Sequence, residues 1–309
     1  MTREQASPRV FMLIPTHTTR HLACCLASLA HQTRSPEGVA VTCDTDDPAI
    51  GVLLDEWWPR VRVRSGGRPV LLQTYRPHLG QARLNQVRNN GLRTLRDHFG
   101  LRGEDLVVVL DGDTMLAPDA LARHAALAEA GFEVIIPYRY MIDEQPTAQV
   151  SAEDVLENGV PIPRLATAAQ RGLLESRHRR YRRHLLLSRV GLVKSHKPKI
   201  IGGHHAVLWR RLVEINGFDE EYIGYRFNDD DLSRRVRAVR PRTAIAVRDI
   251  AAFHLWHKVR APERLEDAPG YTRWSRKDLP TRCVHGIESP LEQPPPVVRV
   301  VGKECGRCR

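Results

Sequence analysis

Residues 105–121 read DLVVVLDGDTMLAPDAL, an apolar run typical of a buried strand that is followed at once by two aspartates. In extended backbone, residues i and i+2 project to the same side, so Asp111 and Asp113 are expected to aim at one point, with Gly112 leaving room for a close approach. Two converging carboxylates suit Mg²⁺ or Mn²⁺, which in turn holds phosphate oxygens. An Asp-rich turn is the alternative, but a strand before and a helix after the pair favour the metal site.

Short apolar runs alternate with helix-length amphipathic stretches on both sides of this segment. Strands are predicted at residues 10–15, 39–44, 69–75, 106–111 and 133–138. Helices are predicted at residues 20–31, in a short stretch through Leu53 and Trp57, at 81–99, and at 118–130 with Pro118 in the first turn. Regular alternation of this kind indicates an α/β protein with a doubly wound, mostly parallel sheet flanked by helices.

Polar residues follow several of the predicted strands. Thr16 comes after the first strand, Asp44 after the second, and Asp111 and Asp113 after the fourth. In open α/β sheets, ligands bind outside the carboxyl ends of the strands, so these side chains are expected to line one crevice. The sequence contains no Gly-rich phosphate loop of a common type, which favours phosphate binding through the metal.

Two more clusters contain candidate catalytic or metal-binding residues. In GFDEEYIGYRFNDDDLSRRV, a predicted helix begins with Asp229, Asp230 and Asp231, and three carboxylates exceed what capping needs. A carboxylate free of capping, near a metal-bound phosphate, is a candidate general base. In AAFHLWHK, His254 and His257 lie three residues apart, and Mn²⁺ accepts an imidazole nitrogen among oxygens.

From residue 10 to residue 257 the chain resembles the inverting, nucleotide-sugar-dependent glycosyltransferases of the GT-A fold, in particular the large family-2 class. VFMLIPTHTTRHLACCLASLAHQT is similar to the opening strand and helix, VTCD to the strand ending in the base-contacting Asp, and VVVLDGDTMLAPDAL to the D-x-D strand. GQARLNQVRNNGL resembles the segment before that strand, and GGHHAVLWRRLVEINGFDEEYIGYRFNDDDLSRRV resembles the acceptor-side block of galactosyl- and N-acetylgalactosaminyltransferases. The resemblance implies a GT-A fold with a mostly parallel central sheet.

The resemblance also assigns roles at the matching positions. It implies that Asp44 contacts the nucleobase, that Asp113 binds the metal directly, and that Asp111 is its partner near the ribose and the metal. It further implies that His254 completes the metal site and that Asp229 is the catalytic base. Thr16, at the end of the first strand, is expected on the nucleotide-sugar side as well.

Two departures from the family pattern concern the acceptor side. Asn228 stands where the family usually has Glu, and His204 and His205 stand where a smaller polar residue is common. The acceptor pocket is therefore expected to differ from that of the family.

The resemblance implies a hexosyltransferase that moves a sugar, with inversion, from a UDP-linked donor to an acceptor hydroxyl that the sequence does not identify. The catalytic domain is expected to span residues 1–260, with a nucleotide-sugar half at about 1–140, a basic helical insertion at about 144–195 and an acceptor half at about 195–260. A tail at 261–309 follows.

The net charge of +11 is concentrated locally, because residues 171–189 contain seven arginines and two histidines against one glutamate. This segment is predicted to be a helix, either with a solvated basic face or with a surface that receives an anionic acceptor or a lipid headgroup at the membrane periphery. The alternative function is a basic nucleic-acid-binding protein with a degenerate transferase-like domain. The chain lacks a recognised nucleic-acid module and the aromatic residues expected for stacking on single strands.

The tail contains Cys283, His285, Cys305 and Cys308, which can supply four tetrahedral ligands. The tail is therefore predicted either to be held by a structural Zn²⁺ or to be disordered, and it is not catalytic in either case.

Localisation is expected to be cytoplasmic. No apolar run approaches the roughly 18 residues that span a bilayer, and the N-terminal residues are polar. Cys24, Cys25 and Cys43 lie inside apolar segments, where packing in the core is expected and a disulfide framework is not.

Overall fold

The structure is a computed structural model that describes residues 7–194, 196–258 and 264–302. Within these ranges the strands are β1 (Val10–Thr16), β2 (Gly38–Cys43), β3 (Val70–Tyr75), β4 (Leu106–Leu110), β5 (Thr114–Leu116), β6 (Val134–Ile136), β7 (Tyr140–Met141), β8 (His204–Leu208), β9 (Thr243–Ile245), β10 (Ala252–His254) and β11 (Val297–Val300). They form a large sheet in the order β11-β3-β2-β1-β4-β8-β6-β9 and a small sheet in the order β5-β10-β7.

Helices cover both faces of the large sheet and form the insertion between β7 and β8. In the same ranges they are α1 (Leu22–Leu29), α2 (Pro48–Arg64), α3 (Leu84–Phe99), α4 (Ala120–Glu129), α5 (Glu144–Ala148), α6 (Ala152–Asn158), α7 (Ile162–Leu165), α8 (Ala168–Arg189), α9 (Trp209–Glu214), α10 (Asn228–Ala238) and α11 (Tyr271–Ser275).

The predicted parallel arrangement is confirmed for β3, β2, β1 and β4, whose neighbours pair in parallel. The other half of the sheet is mixed, since β8 runs antiparallel to both β4 and β6, and β9 runs parallel to β6. The reason is the path of the chain, which leaves β6 for the small sheet and the helical insertion and returns through β8 between β4 and β6.

Burial on both faces explains the continuous apolar runs of the central strands. In β1, Val10, Met12 and Ile14 pack into one core cluster, whereas Phe11 and Leu13 pack into the other. Cys24, Cys25 and Cys43 are free and buried, which confirms their predicted packing role.

The helices differ from their predicted bounds in two places. The helix through Leu53 and Trp57 is long, because α2 has 17 residues and contains Pro59 without ending there. Pro118 lies outside α4, where Asp119 is the N-cap, so the prediction that this proline opens the helix is wrong.

Residues 111–113 do not continue β4. The Thr114 amide donates to the Asp111 carbonyl at 3.0 Å, which closes a turn, and Thr114 then begins β5 of the small sheet. The expectation that extended backbone aims Asp111 and Asp113 at one point is therefore wrong. The turn leaves Asp111 at the end of the large sheet and carries Asp113 to the small one.

The predicted basic helix is confirmed as α8, which begins with a capping box between Thr167 and Gln170. The Gln170 amide also donates to the Met141 carbonyl at 3.0 Å, which ties the start of the helix to β7. No helix in the described ranges is both long enough and apolar enough to cross a bilayer.

The tail packs on the domain in the part that the structure describes. β11 pairs antiparallel with β3 and so covers one edge of the large sheet. Cys283 and Ile287 are buried against the segment that follows α9. The alternative of a disordered tail is therefore wrong for residues 264–302.

Candidate active site

One carboxylate and two imidazoles meet where the small sheet joins the end of β4. His254 Nε2 lies 3.4 Å and His257 Nε2 3.0 Å from Asp113 Oδ2. One donor atom from each residue lies within 4.8 Å of the others, and no second group of this kind was found among residues 7–194, 196–258 and 264–302. Strand pairing fixes the geometry, because His254 is opposite Thr114, the residue after Asp113.

The surroundings keep Asp113 ionised. Burial alone would raise the pKa of this carboxyl, but the hydrogen bond to His254 and the electrostatic effects of His254, Arg139 and His257 outweigh it and lower the pKa to about 2. An ionised carboxylate beside two imidazoles is a donor set that suits a divalent cation of the Mn²⁺ type.

Asp111 lies next to this cluster, but its carboxylate contacts arginines and not the histidines. Arg139 Nη1 donates to Asp111 Oδ2 at 3.1 Å, and Arg88 Nη2 lies 3.9 Å from Asp111 Oδ1. A Cβ on Gly203 would come within 1.6 Å of Arg139 Nη1 and 2.5 Å of Asp111 Oδ2, so only glycine allows this pairing. Asp111 therefore has two arginines as its neighbours.

Asp229 lies at the start of α10, as predicted, and lies near Arg88, as Asp111 does. Arg88 Nη1 donates to Asp229 Oδ1 at 3.3 Å. A Cβ on Gly202 would lie 1.9 Å from that oxygen, so glycine is again required. Desolvation raises the pKa of Asp229, and the charge of Arg88 lowers it in part. About 40% of the side chain remains exposed, which leaves the carboxylate open to a second substrate.

The other two aspartates of the cluster have structural partners. Asp231 is buried and binds Arg235 through Nε at 2.7 Å, and Arg235 in turn donates to two backbone carbonyls. Asp230 pairs with Lys199. Of the three, Asp229 has the most exposed side chain.

Asp44 and Thr16, which the sequence predicts on the nucleotide side, lie at the ends of the adjacent strands β2 and β1. Asp44 accepts from Arg76 Nη1 at 2.7 Å and from the Arg83 amide at 3.2 Å. Arg76 is buried and also donates to Gln293 of the tail at 3.0 Å. Thr16 Oγ1 donates to the Thr18 carbonyl in the loop after β1.

His204 and His205 do not line an open acceptor pocket. Both are buried, and His204 Nε2 lies 3.0 Å from His124 Nε2 on α4. Burial lowers the pKa of His205 to about 3 and that of His124 to about 3, so both imidazoles are neutral and belong to the core. The expectation that these histidines alter the pocket is wrong for this reason.

The predicted zinc ligands fall in two groups. The Cys283 thiol is buried, donates to the Ile215 and Asn216 carbonyls, and has a pKa raised by burial to about 12. His285 lies nearby in the chain, whereas Cys305 and Cys308 lie outside the described residues.

Sequence reasoning missed three residues of the site as participants. Arg88 and Arg139 contact the carboxylates, and His257 joins the metal cluster although only His254 was expected there. The H-x-x-H spacing was a signal for His257, but nothing in the sequence singles out the two arginines.

No family model and no curated protein matches the chain. Among solved structures, GalNAc-T7 with UDP, GalNAc and Mn²⁺ has a TM-score of 0.53 at 11% identity, over 88% of this chain and 48% of that chain. TarS 1-349 of S. aureus with UDP-GlcNAc gives 0.49 at 17% identity, over 84% and 61%. Mannosyltransferase PcManGT from Pyrobaculum calidifontis, in complex with GDP-Man and Mn²⁺, gives 0.48 at 16% identity, over 87% and 60%. The chain thus spans about half to three fifths of these proteins, and the first likeness shows that it has the GT-A fold.

Proposed function

We propose that this chain of GT-A fold is a metal-dependent, inverting glycosyltransferase of the family-2 kind, which moves a hexose from a nucleotide-diphosphate sugar to an acceptor hydroxyl. One observation carries the proposal. Asp113 of the three-residue metal cluster lies two residues from Asp111, and Arg88 lies near both Asp111 and the partly desolvated carboxylate of Asp229.

The donor set of the cluster fits Mn²⁺ better than Mg²⁺. Mg²⁺ takes oxygen ligands, whereas Mn²⁺ also accepts imidazole, and two of the three ligands here are imidazoles. Asp113, His254 and His257 would hold the ion, and Asp111 would lie beside it without binding it. When bound, the ion supplies a Lewis acid that neutralises charge on the leaving diphosphate.

The donor is proposed to lie across the ends of β1, β2 and β4, with Thr16 and Asp44 on the nucleotide side. A UDP-linked donor is supported by the complex of GalNAc-T7, which contains UDP. Arg139, bound to Asp111, places a fixed positive charge where the diphosphate would lie.

Asp229 is proposed to accept the proton of the acceptor hydroxyl as that oxygen attacks the anomeric carbon. Partial desolvation raises the pKa of Asp229, which improves a base that must still be ionised near neutral pH. Arg88 orients the carboxylate through Oδ1. A single base acting on the face opposite the leaving group inverts the configuration.

Release of UDP from a panel of UDP-sugars, measured with and without Mn²⁺ and with mixed hydroxyl acceptors, tests the proposed function. Turnover that requires both Mn²⁺ and one donor would support it. Binding of a labelled DNA duplex with a steep salt dependence, and no donor turnover, would instead support the nucleic-acid alternative.

His257→Ala is expected to weaken Mn²⁺ binding about tenfold or more, because it removes one of three ligand side chains. Isothermal titration with Mn²⁺ in the presence of UDP measures the change. His285→Ala is the matched control, since that histidine lies in the tail and should leave the affinity unchanged. Equal affinities of wild type and His257→Ala would remove His257 from the metal site.

The structural zinc remains a proposal for the tail, with Cys283, His285, Cys305 and Cys308 as ligands. If it is correct, purified chain should contain about one zinc per molecule by elemental analysis, lost in Cys305→Ser/Cys308→Ser. The high pKa of the Cys283 thiol opposes metal binding, since the thiolate is the ligand. A zinc-free chain under chelator-free, reducing conditions would leave Cys283 with its packing role alone.

A further inference from the structure

A cavity of about 240 Å³ lies between α8 and the segment that contains β7. Its α8 side consists of Arg177, Arg180 and apolar residues such as Leu173, and its opposite side contains Tyr138 and Tyr140. Of the residues proposed above to act on the donor or the metal, only Arg139 lines it. The cavity therefore adjoins the proposed donor site but does not include the metal cluster or Asp229.

The charged side chains that line the cavity are all positive. Arg139, Arg177 and Arg180 line it, and no carboxylate does so in the part of the chain that the structure describes. The Arg177 guanidinium lies over the Tyr138 ring at 3.9 Å from its centroid, which holds the cation in place without neutralising it. Neither Arg177 nor Arg180 forms an ion pair with a described residue, in contrast to Arg179, which pairs with Glu175. Such a cavity favours an anion.

The cavity is connected to the reaction centre by two short links. Arg139 lines the cavity, and its Nη1 donates to Asp111 in the crevice. Met141 also lines it and is paired in register with His254 of the metal cluster. The cavity is therefore separated from Asp111 by one side chain and from His254 by one strand pairing.

We propose that this cavity is an acceptor subsite that binds a phosphate ester, with the hydroxyl of the same molecule directed to Asp229. The inference rests on the proposed function. Two guanidiniums without carboxylate partners match the charge of about −1.5 to −2 on a phosphate monoester near pH 7, and their N–H groups suit its oxygens. Leu173, Tyr138 and Tyr140 provide contact for the carbon skeleton of the acceptor.

The experiment is a calorimetric titration with phenyl phosphate in EDTA, so that the metal centre cannot hold the phosphate. Wild type is expected to bind phenyl phosphate more tightly than inorganic phosphate, because the phenyl ring would contact Leu173, Tyr138 and Tyr140. Arg177→Gln/Arg180→Gln is expected to lose about tenfold or more in affinity. The affinity of Arg177→Lys/Arg180→Lys for phenyl phosphate should lie between those of wild type and the glutamine variant. Lysine keeps the positive charge but lacks the planar guanidinium group.

The matched control is Arg182→Gln/Arg183→Gln, which removes two exposed charges from the same helix outside the cavity. Retained affinity in this control locates the phosphate in the cavity. Equal losses in the two glutamine variants would overturn the proposal in favour of diffuse attraction to α8. No binding by wild type, or equal binding of inorganic and phenyl phosphate, would overturn it as well.

The outcome is separable from that of the proposed function. Binding of UDP with Mn²⁺ should be unchanged in Arg177→Gln/Arg180→Gln, and phenyl phosphate binding should be unchanged in Asp113→Ala. If UDP and Mn²⁺ bind but phenyl phosphate does not, the subsite is wrong and the transferase proposal stands. If phenyl phosphate binds in the cavity but UDP with Mn²⁺ does not, the transferase proposal is wrong.

Discussion

Asp113→Ala is expected to abolish Mn²⁺-dependent binding of UDP, with a loss of more than about a hundredfold, because even outer partners of metal ligands are worth about 10- to 100-fold. Asp113 is the only carboxylate in the cluster described here, and both histidines meet it through Oδ2. Without it, two imidazoles remain, and no carboxylate of the cluster offsets the charge of the cation. Titration of UDP at fixed Mn²⁺ measures the loss, and thermal melting verifies that the variant is folded.

Asp111→Asn serves as the matched control for this experiment. Asp111 accepts from Arg139 and lies near Arg88, so its replacement is expected to cost much less metal-dependent affinity than the loss of Asp113. A loss as large as that of Asp113→Ala would place Asp111 on the metal too. Unchanged UDP affinity in Asp113→Ala with Mn²⁺ present would contradict the proposed metal site.

Asp229→Asn is expected to reduce sugar transfer by about a hundredfold to ten-thousandfold while donor and metal bind nearly as in wild type. Asparagine keeps the size of the side chain and an oxygen for Arg88, but it cannot accept the proton of the acceptor hydroxyl. Since desolvation raises the pKa of Asp229, transfer by wild type should decline at acidic pH as this carboxyl protonates, starting above the range of an ordinary Asp. Initial rates at saturating donor and Mn²⁺ measure both effects.

Asp230→Asn is the control. Asp230 pairs with Lys199 at a partly exposed position, so this substitution should reduce sugar transfer only slightly. Near-normal transfer by Asp229→Asn would remove this residue from the mechanism. Asp231 is no substitute, because its carboxylate is buried in the ion pair with Arg235.

The central strands could be predicted from the sequence. The runs in β1, β2 and β4 are apolar on both faces, so their periodicity and length identify them without knowledge of partners. Asp113 and Asp229 became candidates because each lies beside the boundary of a predicted strand or helix, and such positions are visible in a linear pattern.

The contacts that decide the site could not be predicted, because they depend on residues far apart in the chain. Asp111 and Asp113 diverge because β5 pairs with β10, about 140 positions further along. In the sequence, Arg88 is one of the polar residues of an amphipathic helix. It contacts Asp229 only because α3 packs against the segment that contains Gly202. The pairing of β11 with β3 likewise depends on an open sheet edge that no local pattern reveals.

The path of the chain between β6 and β8 determines which part of this protein can be exchanged as a unit. These strands pair through Val134 with Val207 and Ile135 with Ala206, so the chain leaves and re-enters the large sheet at neighbouring points. The segment between them includes Arg139, which donates to Asp111, and β7, whose Met141 pairs with His254, so an exchange has to begin after β7. Exchange of α5 to α8 alone is therefore expected to change the proposed acceptor subsite and to leave the metal cluster in place.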